Sequence, residues 1–576
     1  MTDRQTGYPS VDKPWLKYYT REQIEAILPK CKIYDYIWSQ NKDYQDKIAL
    51  NYFDRRISYG QLFDGITKAA KAYIQVGVRA GDVVSIISVT LLETIYSFYA
   101  LNRIGAIANM IDPRTSQDGI REYLKEVDSK VVVTLDVAYE KVKEAVAGTS
   151  VDKVVIISPA DSLPVIKKQL FKLTKGVKIK ENTTCIRWDH FLSEYQLDNE
   201  INDTEYREDE CCVIVHTGGT TGTPKGVMLS NDNLNAAAEQ ALNSPIPLKR
   251  EDVFLNIMPP FIAYGVVLGM HTALAGGWEQ VVIPVFDPNT FDKVILKYKP
   301  AAAMGVPTHF DKVISSRKLI GKYLDHIKCL LVGGDKIKPE FEVVINEYLR
   351  NHGANLHISK GYSMTEASST ATFAFEKSNK VGSVGIPLPK TTVAVFDEET
   401  GEEKGYNEVG ILHIQSPTMM LGYYNKPDET ELVLITKPDG SKWIYTGDYG
   451  YIDEDGIVYV EGRSKRMLIR HDGFKVFPPL VEKTIEKEKA IQNCCVVGKN
   501  DPDHSQGMVP VVYVTLKAES ERNEDIDLIK KSITERCLQE LPEYAQPSQI
   551  EIIGELPLTP IGKIEYRELE KRANNT

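Results

Sequence analysis

Hydrophobic and polar positions along the chain alternate between two periods. After Ser58, whose spacing to Gln61 is that of a capping box, Leu62, Ile66, Ala69, Ala70, Tyr73 and Ile74 fall on one helical face. Gly77 and Gly81-Asp82 end that helix, and Val83-Val84-Ser85-Ile86-Ile87 reads as a buried strand. Short apolar runs recur at Val131–Val133, Val154–Ile157 and Cys211–Val215, with helical patterns between them. Such alternation predicts an α/β fold with parallel sheets. The aromatics of residues 1–50 (Trp15, Tyr18, Tyr19, Tyr34, Tyr36, Trp38) have no clear period and are expected to wrap against the body. Beyond Gly462 the pattern changes to a smaller α/β unit, with a strand at Val512-Tyr513-Val514 and a helix from Ile526 to Leu541.

The pattern breaks most sharply at His216-Thr217-Gly218-Gly219-Thr220-Thr221-Gly222-Thr223-Pro224-Lys225-Gly226. Glycines admit backbone conformations that leave N–H groups free to cradle an anion, and threonine hydroxyls and Lys225 add donors. The expected ligand is a nucleotide triphosphate. This is not the Walker loop, which needs Gly-Lys-Ser/Thr opening a helix. Here Val227-Met228-Leu229 follows as a strand, so the loop joins two strands. A plain polar hairpin is the alternative, and the density of Gly and Thr beside Pro-Lys-Gly disfavours it.

An aromatic, Gly-rich turn and two Gly-containing strand ends follow. They are Pro259-Pro260-Phe261-Ile262-Ala263-Tyr264-Gly265, Gly305-Val306-Pro307-Thr308, and Leu330-Leu331-Val332-Gly333-Gly334-Asp335. Ligands of open α/β sheets bind outside the carboxyl ends of strands, so these turns are candidate walls of one pocket. Lys360-Gly361-Tyr362-Ser363-Met364-Thr365-Glu366 offers a hydroxyl beside a carboxylate, suited to a phosphate and Mg²⁺. In isolation that pair is a weak signal and reads more readily as a helix cap. Asp448, in a turn-like Thr446–Gly450 stretch, could hold ribose hydroxyls or merely form a turn. Lys563, alone, is a surface lysine on a Pro/Gly-rich loop.

Composition narrows the classes. At 576 residues the chain exceeds one compact core, so two or more domains are expected. A net charge of −11 argues against nucleic-acid binding as the main function. The eight cysteines lack C-x-x-C spacing, so neither a zinc site nor a disulfide framework is indicated. With a charged N-terminus lacking a signal-peptide core, the expected location is cytoplasmic. Val83–Ile111, interrupted by Glu93 and Arg103, fits a buried strand and helix rather than a membrane span. Over residues 160–181, Leu163, Ile166, Leu170 and Leu173 share a helical face among Lys167, Lys168, Lys172, Lys175, Lys178 and Lys180. A basic amphipathic helix can lie on an anionic membrane, giving peripheral association; as an ordinary surface helix its lysines are simply solvated.

In this order the motifs resemble the adenylate-forming superfamily of acyl-CoA synthetases, luciferases and peptide-synthetase adenylation domains. The resemblance runs from about residue 50 to the C-terminus. It rests on the 216–226 loop, Gly361–Glu366, Val381-Gly382-Ser383-Val384-Gly385-Ile386-Pro387, Gly422-Tyr423-Tyr424-Asn425, Tyr445–Gly450, Gly462–Gly473 and Pro557–Lys563. It implies an N-terminal AMP-binding domain over 1–462, with two α/β sheets and a small β-barrel-like part. It further implies a hinge at 463–466 and a small mobile α/β lid over 467–576. The implied reaction joins a carboxylate to ATP as acyl-AMP, releasing pyrophosphate, and then transfers the acyl group to a thiol.

By motif match the resemblance implies ATP contacts at Thr217, Gly218, Gly219, Thr220, Thr221, Gly222, Lys225, Gly333, Gly334, Asp335, Gly361, Tyr362, Ser363, Met364 and Thr365. Glu366 would bind Mg²⁺, and Asp448 the ribose, with Arg463 nearby. Lys563 would bridge the reacting carboxylate and α-phosphate, so Lys563, Thr365 and Glu366 are the implied catalytic residues. Lys465 matches the hinge position and Gly473 the coenzyme A channel. The acyl pocket would use Phe261, Ile262, Tyr264, Gly265, Val306 and Pro307.

Two positions depart from the family pattern. Gly218 stands where relatives usually carry Ser, which removes one hydroxyl donor. Ile262 stands where many carry His, so no histidine gate is assigned, and the absence of an Asp there disfavours amino-acid substrates. The expected activity is an ATP-, Mg²⁺- and coenzyme A-dependent ligase for a fatty acid, with a role in fatty acid metabolism. An aryl-acid–CoA ligase and a ligase loading a carrier-protein pantetheine share every motif. Oligomeric state is left open.

Overall fold

The computed structural model describes the chain except residues 1–5, 175, 176, 178, 195–200, 202, 218–224, 335, 336, 464, 465, 472–474, 477, 505, 506, 519, 521–524, 559–563 and 576. Two large sheets form the body. The first has eight strands, in the order Gly422–Tyr423, Gly226–Ser230, Cys211–His216, Ile107–Ile111, Val83–Ile87, Val131–Leu135, Lys153–Ile157, Cys185–Arg187. Its strands are parallel from Cys211–His216 onward, and the first two run antiparallel. Val83–Ile87 is buried along its whole length, as expected for a central parallel strand covered on both faces. The second sheet has seven strands, running from Ser359–Lys360 through Cys329–Val332, Ala302–Gly305, Val253–Asn256, Glu279–Val282 and Ile48–Tyr52 to Arg55–Ser58.

The capping box at Ser58 is formed. Its side chain accepts from the Gln61 backbone N–H, Gln61 returns a bond, and the helix Tyr59–Gln75 buries the predicted face. Tyr264–Thr272 is a π-helix lying between the two large sheets. Its Val266, Val267 and Met270 join the first core, while Tyr264 and Leu268 pack on the second.

A third, antiparallel sheet joins Thr392–Phe396, Gly410–Gln415, Lys442–Ile452 and Leu434–Thr436, with Val458–Arg463 alongside. Trp15 and Tyr19 pack among Phe373, Phe375 and Ile457, so the N-terminal aromatics do wrap onto the body. The C-terminal unit has its own core. Strands Ile491–Asn500, Met508–Leu516 and Gln549–Ile552 carry the helices Pro478–Ile485, Ile526–Glu540 and Tyr566–Asn575. This large α/β body with a small α/β C-terminal domain is the expected fold class. Arg463, the first residue of the expected hinge, is the last residue of a strand of the third sheet.

Among the described residues no helix is long and apolar enough to cross a membrane. The basic segment forms a helix over Val165–Thr174. Its Ile166 and Leu170 are 82% and 62% exposed, whereas Lys167 pairs with Asp54 at 2.8 Å. All eight cysteines are free thiols.

Candidate active site

A cleft of about 2330 Å³ opens where the three sheets and the C-terminal unit meet. His216, Thr217 and Lys225 reach it from the first sheet, Phe261, Ile262, Tyr264, Val306 and Pro307 from the second, and Arg463 from the third. From the C-terminal unit come Glu482, Glu486, Asn493, Ile564 and Tyr566. Turns that are hundreds of residues apart in the chain thus share one cavity.

Loop 216–226 connects two antiparallel strands, as its sequence suggests. Thr217 and Lys225 close it: the Thr217 N–H donates to the Lys225 carbonyl at 3.0 Å, and the Lys225 N–H to the Thr217 hydroxyl at 3.1 Å. Gly218, Gly219, Thr220, Thr221 and Gly222 lie outside the described residues, as do Asp335, Lys465, Gly473 and Lys563. The Lys225 ammonium pairs with Glu429 at 2.8 Å and sits 4.6 Å from the centre of the Tyr423 ring.

The Thr365–Ala367 stretch is a single 3₁₀ turn between the two-residue strands Ser363–Met364 and Ser369–Thr370, not the start of a longer helix. No side chain caps it, so Thr365 and Glu366 are not there as helix caps. Tyr423 donates to Glu366 Oε1 at 2.7 Å, and the Glu366 carbonyl accepts from Met420 N–H at 2.8 Å. Among the described residues nothing donates to Oε2. Upstream, buried Lys360 is paired with buried Glu342, which fixes the approach to Gly361. A Cβ on Gly361 would lie 2.6 Å from the Thr372 carbonyl oxygen, so only glycine lets this segment run so close to its neighbour.

Asp448 is not in a tight turn. It lies within the strand Lys442–Ile452, beside a register shift, where it is buried and paired in register with Arg463. Arg463 Nε contacts Asp448 Oδ1 at 2.9 Å, and the Tyr362 hydroxyl donates to Oδ2. Burial, reinforced by this carboxylate, holds the Tyr362 phenol well above its usual range. Asp448 is thereby kept as an oriented acceptor just behind the cleft wall formed by Thr446, Gly447 and Arg463.

The opposite wall is apolar. Phe261 is buried, Ile262 packs on both large cores, and Tyr264 starts the π-helix. A Cβ on Gly265 would stand 1.8 Å from the Pro259 carbonyl oxygen, so this turn requires glycine. Gly333 faces Tyr264 with no comparable constraint, its nearest neighbour lying 3.8 Å away.

Glu429 and His309 escape the sequence reading, and Tyr423 and His216 stand within its motifs without an assigned role. Tyr423 holds Glu366 and Glu429 holds Lys225; Glu429 follows the Gly422–Asn425 motif by four residues, which is its only signal. The His216 Nε2 meets Asn109 Oδ1 at 2.8 Å, and burial pulls its pKa down to about 4. His309 also lines the cleft and is also lowered to about 4 by burial. The Nδ1 atoms of both are buried with no partner among the described residues.

Comparison with known proteins places this geometry. The family model described as AMP-binding enzyme matches residues 37–424, and that for the AMP-binding enzyme C-terminal domain matches residues 480–563. The chain is similar to a long-chain-fatty-acid–CoA ligase of Bacillus subtilis, 31% identical over 579 residues and covering 97% of both chains. A probable 4-coumarate–CoA ligase 1 of Dictyostelium discoideum is 28% identical, over 92% of this chain and 91% of the relative. In fold, the chain resembles ATP-bound MatB from Rhodopseudomonas palustris, with a TM-score of 0.80 at 20% identity, covering 94% and 98% of the two chains. It also resembles the anthranilate CoA ligase AuaEII in complex with anthranoyl-AMP, with a TM-score of 0.79 at 21% identity, covering 95% and 98%.

Proposed function

The chain belongs to the AMP-binding enzymes, and from that premise we propose an AMP-forming acid–CoA ligase whose acid is a fatty acid. One observation carries the reading. A cleft with a polar wall of Arg463, Glu366 and Tyr423, backed by the buried Asp448 and Tyr362, faces an apolar wall of Phe261, Ile262, Tyr264 and Val306. Such a cleft can hold a nucleotide against a greasy carboxylic acid.

In the first half-reaction a carboxylate oxygen attacks the α-phosphorus of ATP, and the bond to the β-phosphate bridging oxygen breaks, giving acyl-AMP and pyrophosphate. Asp448 accepts from the ribose hydroxyls, and Arg463 and Tyr362 hold its two oxygens in place. Thr365 donates to the α-phosphate. Lys225 turns from Glu429 to the β- and γ-phosphates, with Thr220 and Thr221 as added donors. Glu366 fits Mg²⁺, since Tyr423 fixes one carboxylate oxygen and leaves the other for a hard cation. When bound, Mg²⁺ supplies charge neutralisation for the phosphates. Lys563 bridges the attacking carboxylate and the α-phosphate; Ile564, next in the chain, already lines the cleft. In the second half-reaction the C-terminal unit turns about Lys465, and the coenzyme A thiol displaces AMP along a channel lined by Gly473.

The fatty-acid reading draws support from the apolar wall and from the relative 31% identical to this chain. Its test is acid-dependent pyrophosphate release across a panel of carboxylates, with and without coenzyme A. We expect kcat/KM to rise with aliphatic length, each buried CH₂ contributing about 0.8 kcal/mol, to a limit set by pocket depth. A benzoate or cinnamate outperforming every fatty acid from butyrate to palmitate overturns the fatty-acid reading in favour of an aryl-acid ligase. Turnover with a carrier-protein pantetheine but not with coenzyme A overturns the acceptor.

The exposed Ile166 and Leu170, flanked by lysines, favour a cytoplasmic enzyme that collects its acid at an anionic membrane surface. Co-sedimentation with anionic vesicles that is unchanged in Ile166→Glu/Leu170→Glu would overturn that part.

A further inference from the structure

Outside the cleft, the C-terminal unit brings two imidazoles and a carboxylate to one point. His471 Nδ1 lies 2.9 Å from Asp501 Oδ2, and His504 Nδ1 lies 3.0 Å from the same oxygen. The two rings are stacked, with centroids 3.4 Å apart and planes within 8°. Oδ1 is already engaged by the Asp503 N–H at 3.0 Å, so Oδ2 alone receives both rings. Asp501 is buried while both histidines are exposed, so the carboxylate is fixed and its partners face solvent.

The parts come from separate pieces of chain. Asp501 and His504 sit at the tip of the hairpin between strands Ile491–Asn500 and Met508–Leu516. His471 follows the short strand Leu468–Ile469. The two pieces are pressed together: Gly507 has φ +99°, and a Cβ there would meet the His471 backbone nitrogen at 2.2 Å. The donor set is therefore positioned by backbone packing, independently of the side chains that compose it.

Each Nδ1 can donate to Oδ2 from a neutral ring, and a cation can take the place of both protons. The lone pairs of two neutral rings and one carboxylate oxygen then converge on a single centre. Ligand atoms about 3 Å apart match the spacing around a tetrahedral ion held at about 2.0–2.1 Å. Two nitrogens and one oxygen favour zinc-class cations over Mg²⁺ or Ca²⁺, which prefer all-oxygen shells.

We propose that His471, Asp501 and His504 form a divalent transition-metal site of the zinc class, which clamps the segment after Leu468–Ile469 to the hairpin tip. No cysteine takes part, so cysteine spacing could not reveal it. The site itself owes nothing to the ligase reading. Its consequence for catalysis does rest on that reading, because His471 stands two residues before Gly473 in the chain.

The test is a Co²⁺ titration of the untagged full chain, without substrates, read by visible ligand-field absorption and by competition with Zn²⁺. Hydrogen exchange over residues 468–476 is followed in parallel. We expect one equivalent of Co²⁺ to bind, to be displaced by Zn²⁺ but not by Mg²⁺, and to slow exchange in that segment. His504→Gln and Asp501→Asn should each weaken binding by at least the roughly 10–100-fold that loss of a supporting residue costs. His504 is exposed, so its variant should fold normally, and thermal melting of both variants checks this. Absence of Co²⁺ uptake, or uptake unchanged in the folded His504→Gln protein, overturns the site. Binding with no change in exchange overturns the clamp. Acid-dependent pyrophosphate release, measured separately, reports on the ligase reading alone.

Discussion

The two walls of the cleft are built by opposite means. On the polar side, charged and hydroxyl groups hold one another: Arg463 and Tyr362 fix Asp448, Tyr423 fixes Glu366, and Glu429 pairs with Lys225. On the apolar side, the proposed acyl wall, position comes from backbone packing, with Gly265 under the Pro259 carbonyl and a π-helix wedged between two cores. π-Helical turns are rare and concentrate at functional sites. Common chemistry calls for fixed polar atoms, whereas the choice of acid calls for a shape. The polar wall should therefore fail through kinetics of the nucleotide, and the apolar wall through stability and acid selectivity.

The sharpest break of this contrast is expected at the lysine that the C-terminal motif supplies. Lys563→Ala should lower acyl-AMP formation by about 10²–10³-fold, the cost of losing one positioned donor at developing charge. Conversion of supplied acyl-AMP and coenzyme A should stay near normal. Separate assays of the two half-reactions check this, and equal losses would remove Lys563 from its proposed role.

Next in size is Asp448→Asn. It strips the charge that Arg463 and Tyr362 orient, and a hydrogen bond to a charged group contributes about 1.5–3 kcal/mol. ATP KM should rise about 10–100-fold while the ranking of acids stays the same. A change in acid ranking would mean that the walls are not independent.

How legible each wall was in the sequence follows the same division. Asp448, Glu366 and Lys225 stand in short ordered motifs, because charge and glycine are informative residue by residue. Tyr423 and Glu429 were not assigned roles, since a tyrosine and a glutamate gain meaning only from what they touch. Asp448 looked like a turn residue because Gly447 and Gly450 flank it, yet antiparallel pairing with Val458–Arg463 draws it into a strand. The strand–helix alternation was readable from periodicity, whereas the π-helix was not: one extra residue per turn leaves no distinct apolar period in nine residues. The acyl wall yields little in sequence because Ile, Val and Phe look alike whether they line a pocket or fill a core.

One substitution made at two positions sharpens the comparison. Gly265→Ala would force a Cβ against the Pro259 oxygen, whereas Gly333→Ala meets nothing closer than 3.8 Å among the described residues. Overpacking costs about 1–3 kcal/mol. Gly265→Ala should therefore lower the unfolding midpoint and raise fatty-acid KM with ATP KM unchanged, and Gly333→Ala should be near neutral in both respects. Matched effects at the two positions would contradict the packing account of the acyl wall.

The smallest effect on catalysis concerns protons, and it sets one histidine against another. Burial lowers His216, on the nucleotide side, and His309, on the acyl side, to about 4. Both are neutral in the folded chain at pH 7, while in the unfolded chain each titrates near 6.5. Between those values the unfolded chain binds more protons, so stability rises with pH across the window. The contribution is complete above about pH 6.5 and is lost as pH falls towards 4, on the order of 3 kcal/mol per histidine over the whole window and about 2 kcal/mol of it between pH 7 and pH 5. Urea unfolding at pH 7 and pH 5 measures it, and His309→Gln should flatten the dependence by one histidine's share. The acyl wall stays uncharged across that window, so fatty-acid KM should be flat from pH 8 to 6 in the parent enzyme. A KM that tracks a group near 6.5, abolished by His309→Gln, would show instead that the imidazole charges in the folded state, and the wall facing the acyl chain would no longer be apolar.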